Sequence, residues 1–238
     1  MRWEDLDRTA TAEHEVGQRG DLEALGIDFD GVEVHQSRRD EAYRDALADL
    51  AAAGLTYRCW CSRKDIRDAA RAPHGPPGAY PGTCRDLSRR EIADREAGDR
   101  PPALRLRADA VEVTVTDRFR GSHTGVVDDF VLRRGDGIPA YNLAVVVDDA
   151  FQGVEEVLRG DDLLDSTPRH AHLHRVLGTP EPAWVHIPLV IDLHGDRLAK
   201  RDGSTGLAAW REAGGTPRTL VGAIGTTLGL DVRGDERA

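Results

Sequence analysis

Tyr141-Asn142-Leu143-Ala144-Val145-Val146-Val147-Asp148-Asp149-Ala150-Phe151, followed by Val154-Glu155-Glu156-Val157-Leu158-Arg159-Gly160-Asp161-Asp162, is the stretch on which the fold turns. The valines of the first run suit a buried strand. Leu143, Val146, Val147 and Ala150 also fall on one helical face, with Gly153 as its stop. The second run reads as a strand over 154–158, which puts Arg159 at its C-terminal end, where ligands collect in open parallel sheets. Ser166-Thr167-Pro168 then opens a helix, with a capping hydroxyl and a first-turn proline, and Gly178 follows its end at Leu177.

Working outward, residues 1–7 form a short strand candidate, and a helix starts near Ser37 as N-cap. Tyr43, Ala46, Leu47 and Leu50 lie on one face of that helix and Gly54 lies past its end. Toward the C-terminus an apolar strand over 184–191 precedes helices over 207–213 and 217–228. The middle third differs in texture. It carries Cys59-Trp60-Cys61, a Pro/Gly-rich loop over 72–82, a polar helix over 87–96 and strands over 103–107, 111–116 and 130–134. That texture reads as an α+β module inserted into an α/β chain.

The 238 residues suffice for one domain interrupted by an insertion. No apolar run reaches the roughly 18 residues of a membrane span. Nothing at Met1 resembles a signal peptide, so a cytoplasmic, membrane-free protein is expected. A net charge of −10 argues against a generic nucleic-acid coat. Any RNA contact is local, and the middle third concentrates arginines, among them Arg85, Arg89, Arg105, Arg118 and Arg133. Three cysteines are too few for a disulfide scaffold. Cys59, Cys61 and Cys84 with one further donor, Tyr80 or His74, make a four-ligand set for zinc. His170, His172 and His174 alternate along their helix, a spacing read as keeping them off one face.

Lysine occurs only at Lys64 and Lys200, while arginine is plentiful, so Lys200 within Arg197-Leu198-Ala199-Lys200-Arg201-Asp202 stands out. A mobile lysine loop suits chemistry at a phosphate, where negative charge grows on phosphoryl oxygens. A side-chain carboxylate, in turn, is held best by a buried arginine.

Together these motifs resemble the class I aminoacyl-tRNA synthetases of the glutamate branch, and within them the glutamyl-queuosine tRNA(Asp) synthetase family. The resemblance covers nearly the whole chain. It implies a Rossmann-like parallel sheet with an inserted zinc-containing α+β module and a short helical C-terminus, and it favours helix for 141–151. The implied domains are 1–57 and 137–192 for the two catalytic segments, 58–136 for the insertion, and 193–238 for a KMSKS-like loop and helices. Lys200 matches the motif's second lysine as the catalytic residue, with Arg197 beside it on ATP. Arg159 and Tyr141 match the glutamate pocket, and Glu4 in Arg2-Trp3-Glu4-Asp5 matches the acidic residue for the α-ammonium. The zinc arrangement is similar to a structural Cys59, Cys61, Tyr80, Cys84 site.

The implied reaction is a ligase's: glutamate activated by ATP with Mg²⁺, then transferred to queuosine in the anticodon of aspartate tRNA, by a monomer. The family's HIGH-type ATP motif has no match here. His14 and His35 are the only histidines ahead of the insertion and neither sits in the matching context, so the chain is expected to start at the second strand and, as given, to be inactive. The alternatives are a fragment of an ordinary glutamyl-tRNA synthetase and a non-catalytic zinc-containing RNA-binding remnant.

Overall fold

A computed structural model of the chain describes residues 1–7, 9–62, 64–66, 80–189, 191, 207–227 and 229–230. These divide into two units, 1–38 with 190–238 and 39–189.

In the smaller unit β1 (Arg2–Trp3) pairs in parallel with β2 (Val34–His35), and α1 (Ala12–Ala24) connects them. Thr11 caps α1 by accepting from the His14 N–H. Ser37, expected as the N-cap of the next helix, has another task. Its N–H and Oγ donate to the Asp5 carboxylate at 2.8 and 2.5 Å, and it lies in a 3₁₀ turn, Gln36–Arg38.

In the larger unit α2 therefore begins two residues later, at Asp40–Ala52 with Arg39 as N-cap, and Tyr43, Leu47 and Leu50 are buried along one face. Its partner is α4 (Tyr141–Gln152), which resolves the ambiguous valine run as helix. The C-terminal stop is Gly153, at φ 64°, a conformation glycine adopts without a Cβ clash. The two helices are tied by a buried ion cluster. Asp148 accepts from Arg39 Nε at 2.6 Å and from the Tyr43 hydroxyl at 2.8 Å.

Two sheets flank these helices in sequence. β3 (Thr56–Cys59), β4 (Ala103–Leu106) and β7 (Val131–Arg133) form an antiparallel sheet. The second sheet has the order β6 (Gly121–Val126), β5 (Glu112–Asp117), β9 (Ala183–Ile187), β8 (Glu156–Gly160). β8 and β9 run parallel, as α/β connectivity through α5 (Thr167–Leu177) requires, and β5 meets β9 in parallel at Asp117 and Trp184. Strand pairing thus crosses the boundary expected at 136/137. Along β5 the pattern alternates: Glu112, Thr114 and Thr116 face out, while Val113, Val115 and Asp117 are buried. α3 (Arg89–Glu96) is closed by a capping box between Ser88 and Glu91. The C-terminal helices are α6 (Leu207–Glu212) and α7 (Pro217–Thr227).

The parallel strands and interleaved helices match the α/β class read from sequence. Among the described residues no helix is long and apolar enough to cross a membrane.

Candidate active site and metal centre

Parallel pairing sets Arg159, near the end of β8, directly beside His186 on β9. From there its guanidinium is held on nearly every side. Nε donates to His186 Nε2 at 3.0 Å and Nη1 to His170 Nδ1 at 3.0 Å, while Nη2 reaches Thr167 Oγ1 at 2.8 Å and the Leu163 carbonyl at 3.3 Å. His170 and Thr167 come from the first turn of α5, which follows β8 after a 3₁₀ helix, Asp161–Ser166. The Tyr141 ring stands 5.9 Å from that of His170, centroid to centroid, and its hydroxyl acts electrostatically on this guanidinium. Burial lowers the Arg159 pKa, and Tyr141 with the more distant Asp149 and Asp162 carboxylates acts against that. Among the described residues, none of its hydrogen-bond partners is a carboxylate.

The imidazoles have defined tautomers. A guanidinium offers only N–H groups, so His170 Nδ1 and His186 Nε2 must both be bare acceptors. The other nitrogens then carry the protons. His170 Nε2 donates to Asn142 Oδ1 at 2.8 Å, and His186 Nδ1 donates to Asp117 Oδ2 at 2.7 Å. Burial, then the charge of Arg159, pushes the His170 pKa down to about 3, so it stays neutral at working pH. Asp117 is held below the usual carboxylate range. Burial alone would raise it, but the hydrogen bond from His186 and the backbone N–H groups of Phe119 and Arg120 win.

The structure thus brings Tyr141 and Arg159 together. Glu4 belongs to the smaller unit, beside a cavity of about 390 Å³ lined by Trp3, His14, His35 and Arg38 among others, and its carboxylate pairs with Arg2 at 3.1 Å. Arg197, Lys200 and His74 lie outside the described residues. Reading from sequence missed His186, Asp117 and Asn142. It also misplaced the histidines: His170 and His174 are four apart, hence on one face, and both rings pack against Trp184 at 6.4 and 6.5 Å.

A second cluster lies at the end of β3. The Cys59, Cys61 and Cys84 sulfurs lie within 4.8 Å of one another, with Cys61 and Cys84 3.6 Å apart. Tyr80 Oη stands 3.3 Å from Cys59 Sγ and 3.6 Å from Cys61 Sγ. A tetrahedral zinc with the usual bond lengths spaces two sulfurs about 3.8 Å apart and a sulfur and an oxygen about 3.5 Å apart. The donors therefore fit that ion. Burial pushes the Cys61 thiol up to about 11. Burial also opposes ionisation of Cys59, but the Tyr80 hydroxyl and the Arg105 guanidinium bring its pKa below the ordinary value. Arg105, stacked 3.6 Å from the Tyr80 ring centroid, and Arg95, 3.9 Å from Cys84 Sγ, offset the charge that three thiolates bring to a divalent ion.

A family profile described as "tRNA synthetases class I (E and Q), catalytic domain" matches residues 1–237. A protein of Nocardia farcinica named glutamyl-Q tRNA(Asp) synthetase is 54% identical over 98% of this chain and 75% of its own length. One of Symbiobacterium thermophilum with the same name is 47% identical over 97% of this chain and 76% of its own. Among solved structures, the glutamate-tRNA synthetase of Elizabethkingia anophelis superposes with a TM-score of 0.78 over 94% of this chain and 53% of that one. At 23% identity this likeness concerns the fold alone.

Proposed function

This chain belongs to the class I tRNA synthetase (E and Q) catalytic-domain family, and from that premise we propose that it activates glutamate with ATP and transfers it to queuosine in the anticodon of aspartate tRNA. One observation carries the reading: a half-buried guanidinium at the C-terminal end of a parallel strand, held by neutral groups, with a half-exposed tyrosine nearby. Four of the five Arg159 N–H groups are occupied by His186, His170, Thr167 and Leu163, which among the described residues leaves one Nη1 hydrogen. That hydrogen and the Tyr141 hydroxyl receive the side-chain carboxylate of glutamate. Glutamine, uncharged there, gains far less.

In this reading the glutamate α-carboxylate attacks the α-phosphorus of ATP, pyrophosphate leaves, and a hydroxyl of the queuosine cyclopentenediol then displaces AMP from the acyl carbon. Glu4 takes the α-ammonium, while Lys200 and Arg197 offset phosphoryl charge, with Mg²⁺ accompanying ATP. Cys59, Cys61, Tyr80 and Cys84 hold a zinc ion that ties the inserted segment together. The domain boundaries at 57, 136 and 192, a cytoplasmic location and a monomeric state complete the proposal. The names and extents of the two bacterial relatives support the choice of acceptor.

The test is glutamate-dependent ATP–pyrophosphate exchange by the full-length protein. Glutamate is expected to support it and glutamine to fail. Arg159→Ala should lower it at least about a hundredfold, since stranding a buried charge costs roughly 3 kcal/mol or more. Near-normal exchange by that variant would remove Arg159 from the pocket.

A further inference from the structure

Three neighbouring strands place one polar side chain each in a row: Asp117 on β5, His186 on β9 and Arg159 on β8. The Asp117 and His186 side chains are fully buried. The proposed reaction uses neither of them. We propose that Asp117 and His186 are positioning residues for glutamate recognition, setting the orientation and the available charge of Arg159 through the tautomer of His186. The inference rests on Arg159 being the side-chain-carboxylate ligand.

The physical case has two parts. Asp117 fixes the proton of His186 on Nδ1, so that Nε2 is free to accept from Arg159 Nε. Asp117 is itself fixed, because its Oδ1 accepts the N–H groups of Phe119 at 2.9 Å and Arg120 at 2.8 Å. An imidazole between carboxylate and guanidinium also keeps the two charges from direct contact. Arg159 is thereby oriented without being neutralised, and an incoming carboxylate does not compete with one already bound. His170 does the same from α5, with Asn142 fixing its tautomer.

Asp117→Asn tests the first part at nearly constant shape. The amide keeps an oxygen for Phe119 and Arg120 and presents its NH₂ to His186, so the imidazole proton must move to Nε2, where it faces the Arg159 Nε–H. Histidine ¹⁵N NMR on the full-length protein reads that tautomer directly. Exchange kinetics should then show the KM for glutamate raised about tenfold or more, as for other lost supporting hydrogen bonds, with the KM for ATP unchanged within about twofold.

His186→Leu should act likewise. His186→Gln, whose Oε1 can accept from Arg159, should recover most of the loss. If Asp117→Asn and His186→Leu leave the glutamate KM unchanged, or move both KM values together with the melting temperature, the positioning role is wrong and the pocket stands. If Arg159→Ala leaves glutamate dependence intact, the pocket reading fails and the inference with it, whatever tautomer His186 shows.

Discussion

Chelation of the Cys59, Cys61, Tyr80, Cys84 cluster should cost the protein several degrees of thermal stability. Without an ion, these groups are joined by S–H and O–H contacts of 3.3 to 3.6 Å, which contribute little, and by the Cys84 N–H donating to Tyr80 Oη at 2.9 Å. The cluster nevertheless holds Trp60 and Tyr80, each 7% exposed, against Tyr57, Leu87 and Ile92. Freeing it exposes both rings at about 3 kcal/mol each. Chain entropy regained by the released segment offsets about half, leaving a net loss of about 3 kcal/mol. In a domain of this size that corresponds to about 6–12 °C in Tm. The assay pairs zinc stoichiometry by plasma mass spectrometry with calorimetric melting, with and without chelator, for wild type and Cys84→Ser. One equivalent of zinc is expected in wild type and less than about half in the variant, given the affinity of structural sites. Sub-stoichiometric zinc after loading, or a Tm that chelator does not move, would refute the metal site.

Three further outcomes follow from particular contacts. Tyr43→Phe removes a donor from the fully buried Asp148 and should cost about 1.5–3 kcal/mol in urea unfolding, a hydrogen bond to a charged acceptor being at stake; a cost near zero contradicts the cluster. His170 has a folded pKa of about 3 against 6.5 unfolded, so between those values the unfolded chain binds more protons. Its contribution is whole above pH 6.5 and is lost as pH falls toward 3, by about 1.4 kcal/mol per unit. His170→Gln should flatten the stability profile between pH 6.5 and pH 5, and an unchanged slope would mean the ring titrates normally. Gly160→Ala places a Cβ 2.7 Å from both Asp162 Oδ1 and Leu189 Cδ2. Both are the far ends of side chains that can turn away, so the substitution should cost less than about 1.5 kcal/mol; a larger loss in urea unfolding would show that Asp162 and Leu189 are held in place.

What could be read from the chain depended on how local each signal was. The cysteines were legible because their spacing lies within 26 residues, and Arg159 because a valine-rich strand leads straight into it. β6 escaped notice: Gly121-Ser122-His123-Thr124-Gly125 has no apolar alternation, and only its pairing with β5, including a 2.7 Å contact between Thr114 and Thr124, makes it a strand. α1 escaped because it buries no residue. Asp117 and His186 meet across 69 positions, a juxtaposition no window reveals, although a carboxylate on the inward face of β5 was a visible anomaly. Ser37 had the composition of a cap, but the Asp5 carboxylate claimed it first.

The central claim is the identity of the acceptor, and labelled glutamate decides it. Incubated with ATP and the full-length protein, glutamate should become attached to queuosine-containing aspartate tRNA, and neither to aspartate tRNA lacking queuosine nor to glutamate tRNA. Charging of glutamate tRNA with no label on the aspartate tRNA would contradict the account and make this an ordinary glutamyl-tRNA synthetase.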